Sequence, residues 1–138
     1  REVHRFNLYQ DTEAETKRFA KWVDRLPKNT VVGCCITDTA MAKTRPLNST
    51  VYESFRKLGA SDSLTLIGYR EPFCFLGWKG ASKGQGVYAL DAKKQSKQLL
   101  RLDAVVTYDK GELAMTWKSS QVKLLEQLPP AKKRRTEE

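Results

Sequence analysis

The amino-acid sequence predicts an α+β domain: a sheet with two helices on one side, extended at its C-terminal end by a β-hairpin. Three observations predict it. Large apolar residues recur at helical spacing in two stretches. Short runs of strand formers alternate with them in the order strand, helix, strand, helix, strands. Asp109-Lys110-Gly111 stands between two further strand-like runs as a hairpin turn. The chain has 138 residues, 40% apolar and 30% charged. A chain of this size hides roughly two-thirds of its unfolded surface, so it can build a core. The composition excludes a fully disordered chain, and no apolar run approaches the roughly 20 residues of a membrane-spanning helix. One domain is predicted over residues 1–128, with a basic disordered tail over 129–138. The chain opens on Arg1 rather than Met, which predicts a piece of a larger protein.

Residues 1–9 alternate apolar and polar side chains, which predicts a strand. A helix follows from Asp11 or Thr12. Thr12 with Glu15 three residues on has the form of a capping box. Phe19, Trp22, Val23 and Leu26 share its apolar face, and Pro27 ends it. Residues 31–36 are apolar throughout and read as a central strand buried on both faces. A second helix is predicted over about 48–58, with Thr50 and Glu53 at its start and Val51, Phe55 and Leu58 on one face. Gly59 is placed to end it in the left-handed conformation. Residues 64–67 and 73–78 read as a hairpin-like pair of strands with a polar elbow at Arg70-Glu71. Residues 80–86 form a glycine-rich loop and 87–90 a short apolar strand. Residues 100–108 and 112–117 form the second hairpin, and 121–128 a short amphipathic stretch.

The formal net charge is +9, which favours contact with polyanions; a merely solvated basic surface is the plain alternative. Six cations, Lys79, Lys83, Lys93, Lys94, Lys97 and Arg101, stand between positions 79 and 101 against Asp91 alone. They are the candidate polyanion contacts, with Trp78 or Tyr88 as stacking groups. Lys132-Lys133-Arg134-Arg135 reads as a nuclear import signal or as a solvated tail.

The three cysteines, Cys34, Cys35 and Cys74, make a poor disulfide framework. Cys34 and Cys35 point to opposite faces if they lie on a strand. Free thiols in a reducing compartment are expected. With one histidine, His4, and no CxxC spacing, no metal site is expected, and no cofactor. No nucleophile–base constellation or phosphate loop is present in the pattern of residues, so no enzymatic activity is expected. The most informative polar groups sit where apolar runs end: Asp38 after residues 31–36, Arg70 and Glu71 after 64–67. If those two runs are adjacent parallel strands, Asp38 and Arg70 meet beyond their carboxyl ends, where ligands bind. A structural ion pair is the plainer reading and a ligand clamp the other.

These segments resemble the interleukin-like EMT inducer (ILEI/PANDER-like) domain. The resemblance runs over about residues 6–80. It rests on Phe6-Asn7-Leu8-Tyr9, on Leu26-Pro27 followed by the apolar strand, on Thr37-Asp38-Thr39, on Leu58-Gly59-Ala60, on Ile67-Gly68-Tyr69-Arg70-Glu71 and on the aromatic run from Phe73 to Lys79-Gly80. It implies a compact β-β-α fold, non-enzymatic by itself. In a glycosyltransferase stem, the domain binds sugar through the positions matched by Asp38 and Arg70. Thr39 and Glu71 stand where the family pattern has Glu and Asp, and the disulfide-forming cysteines of secreted members have no counterparts here. The expectation is a non-catalytic module, within a larger nuclear or otherwise intracellular protein, that contacts a protein or glycan through Asp38, Arg70 and Glu71. A nucleic-acid-binding domain using residues 79–101 is the alternative. The family itself implies secretion, and no membrane contact is expected.

Overall fold

Phe55 is the side chain on which the layers meet. Its ring stands 5.3 Å from those of both Phe19 and Phe75 and 6.2 Å from that of Phe73, with the two Phe-on-strand contacts edge-to-face. Such geometry aligns positive ring edges with negative ring faces. The computed structural model describes residues 2–10, 12–36, 47–68, 70–90 and 101–120. Helix α1 spans Thr12–Arg25 and carries Phe19; helix α2 spans Ser49–Arg56 and carries Phe55. Strands β1 (Val31–Cys35), β2 (Phe73–Trp78) and β3 (Val87–Leu90) form an antiparallel sheet in the order β1-β2-β3. Strands β4 (Arg101–Asp109) and β5 (Glu112–Ser120) form a separate hairpin that approaches β2 and β3. The α+β class is as the sequence predicts.

The inner face of the sheet presents Val32, Phe73, Phe75, Tyr88 and Leu90 to Phe19, Val23, Val51 and Phe55 of the helices, and all are buried in one cluster. This is the period-2 pattern of strands meeting the period-3.6 pattern of helices. The start of α2 is capped. Asn48 Oδ1 accepts from Thr50 N at 2.8 Å, so Asn48, not Thr50, caps α2. Glu15 Oε1 accepts from the backbone N of Asn7 at 2.9 Å, beyond the Thr12 position a capping box would use. The end of α2 is a Schellman motif. Gly59 N donates to Arg56 O and Ala60 N to Phe55 O, both at 3.0 Å, while Gly59 takes φ 99°.

That turn then docks on the sheet by backbone alone. Leu58 O accepts from Trp78 N at 3.0 Å, and Gly59 O accepts from Gly84 N and Gly86 N, each at 2.9 Å. Gly77 makes the approach possible: a Cβ there would run into Leu58 O and stand 2.6 Å from Phe75 Cζ. The hairpin turn is also as expected. Lys110 and Gly111 take φ 52° and 82°, the left-handed pair of a two-residue loop whose twist matches its strands.

Three expectations are corrected. Residues 2–7 form no strand; the segment lies along α1 with Phe6 packed 5.2 Å from Phe19 and 5.6 Å from Trp22. Its backbone bonds to side chains of α1 rather than to another strand: Arg5 O accepts from Arg18 and Asn7 N donates to Glu15. Residues 64–67 form no strand either; Asp62–Leu66 is a 3-10 turn. Ser61 Oγ accepts from Ser63 N and Thr65 Oγ1 donates to Asp62 O at the start of the turn, while Leu64 N and Ile67 N donate to the backbone carbonyls of Ser61 and Leu64. Finally, among the described residues β1 is an edge strand rather than a central one, and Val31 on its outer face is 46% exposed. The central strand is β2.

Gly77→Ala is expected to destabilise the fold by about 3 kcal/mol, since neither the Leu58 carbonyl nor the Phe75 ring can retreat without breaking the layer contact. A urea titration followed by tryptophan fluorescence measures it as a lower midpoint at unchanged slope.

Candidate functional site

Arg70 and Glu71 form the turn through which the chain enters β2. Glu71 N donates to Gly68 O at 3.5 Å, and Glu71 Oε1 accepts from Gly68 N at 2.6 Å. The Glu71 side chain is 3% exposed and so is part of the fold, bracing the turn from within. Arg70 is exposed at the turn's tip with φ 55°, the left-handed region. A non-glycine residue there costs roughly 1–2 kcal/mol.

Asp38 lies outside the described residues. The route by which it was expected to meet Arg70, adjacent parallel strands, does not exist, because residues 64–67 are not a strand and β1 pairs with β2 antiparallel. The antiparallel ladder nevertheless joins the same two stretches of chain. Ile36, two residues before Asp38 in sequence, donates its N–H to Phe73 O at 3.1 Å, and Phe73 follows Arg70 by three.

Two of the candidate polyanion contacts bond within the fold. Lys79 donates from Nζ to Val23 O at 2.6 Å and so caps the C-terminal end of α1, where a cation is favoured. Lys83 Nζ donates to Asp62 Oδ2 at 2.6 Å, and Arg56 stands 3.1 Å from the other oxygen of the same carboxylate. The Lys83 hydrogen bond is the main reason the Asp62 carboxyl sits below its ordinary pKa. Lys93, Lys94 and Lys97 lie outside the described residues, and Arg101 opens β4. Trp78 and Tyr88, the candidate stacking residues, are 4% and 1% exposed and are core. Two open clefts, of about 410 and 220 Å³, lie along α1, and neither is lined by Arg70 or Glu71.

A family model described as interleukin-like EMT inducer matches residues 1–81. The chain belongs to the interleukin-like EMT inducer family. In this family member the match takes in α1, β1, α2 and β2 and stops before β3 and the hairpin. Comparison with curated proteins gives no match.

One arrangement escaped the sequence. Cys35 and Cys74, 39 positions apart, are partners across β1 and β2 with their Sγ atoms 3.4 Å apart. The hydrogen bond from the Cys74 thiol draws the Cys35 pKa down to about 6, and the same bond pushes that of Cys74 upward. Cys34 points the other way, against the core, and burial pushes its pKa up to about 12. The opposite facing of Cys34 and Cys35 was legible from strand alternation; the partner of Cys35 was not.

Alkylation of Cys35 by iodoacetamide should rise through about pH 6 as the thiolate forms and level off above it. Cys74→Ala removes the donor and should move that midpoint toward the ordinary thiol value of about 8.5. Peptide-resolved mass spectrometry across a pH series measures both. Separately, Glu71→Ala strips the Gly68 N–H of its acceptor, with an expected loss of about 2 kcal/mol in denaturant unfolding.

Proposed function

We propose that this chain is a non-catalytic recognition module that contacts a protein or glycan partner through the exposed Arg70 turn. The observation that carries the reading is the backbone of Arg70. Glycine would occupy φ 55° more cheaply, and the chain instead holds a long cationic side chain there on a braced turn. A guanidinium donates in a fixed planar fork, suited to carboxylates and to the paired hydroxyls of a sugar. The family pattern supports the same position, since Arg70 falls on the sugar-contacting Arg of the resembling stem domain. Glu71 supports the site from beneath rather than touching the partner, and Asp38 joins the proposal on sequence alone. The sequence of the tail at 132–135 supports a nuclear setting.

The nucleic-acid alternative has less support, because Lys79 and Lys83 already bond within the fold. Arg70→Gly and Arg70→Ala separate the readings. Arg70→Gly should raise stability by about 1 kcal/mol, since it relieves the left-handed strain. Both variants should weaken binding at least about tenfold to whichever member of an immobilised glycan panel or protein library the unmodified chain selects. Duplex DNA serves as the contrasting probe. DNA binding that falls steeply with added salt and is indifferent to Arg70 would favour the polyanion reading instead.

A further inference from the structure

The outer face of the sheet carries a pair of thiols that the recognition reading leaves unused. Cys35 and Cys74 are register partners with Sγ atoms 3.4 Å apart. The ladder fixes which kind of partners they are. Ile36 N donates to Phe73 O at 3.1 Å, and Lys79 N donates to Thr30 O at 2.9 Å, which makes 36/73 and 30/79 hydrogen-bonded pairs. Bonded and non-bonded pairs alternate along an antiparallel ladder, so Cys35 and Cys74 form a non-hydrogen-bonded pair. Cα atoms in such pairs stand about 4.5 Å apart, within the range of about 4.4–6.8 Å that a disulfide spans. No backbone rearrangement is needed to join them.

Access is unequal. Cys35 is exposed on the edge strand, whereas Cys74 is half-buried on the central one. Cys34 is paired in register with Phe75 and faces the core, so it is out of reach of Cys74.

We propose that Cys35 and Cys74 are a reversible dithiol–disulfide site whose oxidant is a hydroperoxide, with Cys35 as the attacking thiol and Cys74 as the resolving one. In the first step the Cys35 thiolate attacks the terminal oxygen of the peroxide. The S–O bond forms, the O–O bond breaks, and the departing oxygen leaves as water or an alcohol after taking a proton. In the second step Cys74 Sγ attacks Cys35 Sγ, the S–S bond forms, and the sulfenic oxygen leaves with two protons as water. Two thiols lose two electrons and two hydrogens, and the peroxide gains both. Excess small-molecule thiol reverses the product by exchange. Either sulfur can donate in the Sγ–Sγ hydrogen bond; with Cys74 donating, the thiolate falls on the more exposed Cys35, which supports these roles. The product ties edge strand β1 to β2 at the end where the Arg70 turn joins the sheet. The site does not depend on the recognition reading, and each can fail without the other.

The test treats the reduced full chain with equimolar hydrogen peroxide, blocks remaining thiols with N-ethylmaleimide, and reads intact and peptide mass. One maleimide adduct on Cys34, a loss of about 2 Da, and a peptide joining positions 35 and 74, all reversed by dithiothreitol, are expected. Cys35→Ser should slow thiol loss at least about tenfold, and Cys74→Ser should leave a dimedone-reactive sulfenic acid on Cys35. Cys34→Ser should change none of this. Three maleimide adducts after peroxide, a linkage through Cys34, or only intermolecular disulfides would overturn the proposal.

Discussion

The close approach of the α2 C-terminal turn to the central strand is the constraint on which the structure depends. Leu58 O and Gly59 O take hydrogen bonds from Trp78, Gly84 and Gly86, so the carbonyls of the turn that ends the helix are met by the end of β2 and the glycine loop that follows it. The contact is backbone on backbone and exists because Gly59 accepts φ 99° and Gly77 has no Cβ to collide with Leu58. Once that distance is set, Phe55 falls between Phe73 and Phe75, and Phe19 of α1 closes over it. Lys57 reaches across to Asp24 at 2.6 Å and Lys79 to Val23 O at 2.6 Å, so the ends of both helices are fastened around the same contact.

That arrangement also decides which polar groups are available outside. A basic chain of +9 appears rich in cations for a polyanion, yet the lysines nearest the aromatic strand serve the fold. The strain at Arg70 is different in kind. Lys110 shares its left-handed backbone, but Lys110 sits in a hairpin loop whose twist requires that conformation. Arg70 sits in a turn that glycine would serve more easily, and the buried Glu71 carboxyl holds the turn shut beneath it. The paired thiols and the Arg70 turn meet at the same end of β2. The place where the chain enters its central strand thus gathers a pair of facing thiols and an exposed arginine.

Helical faces, the left-handed Gly59 and the hairpin about Lys110-Gly111 were set by the sequence alone, because each depends on residues within a few positions of one another. The family was legible in the same way, from short motifs in order, and so was the opposite facing of Cys34 and Cys35. Where β1 lies in the sheet was decided by the tertiary structure, since an unbroken apolar run reads alike at an edge and in the centre. Residues 64–67 have strand composition, but Leu64 N and Ile67 N bond to carbonyls three residues back, which makes a 3-10 turn. The partnership of Cys35 with Cys74 required the register of two strands that are 39 positions apart. A linear pattern records which face a side chain takes, whereas its partner is known only once the backbone ladder has formed.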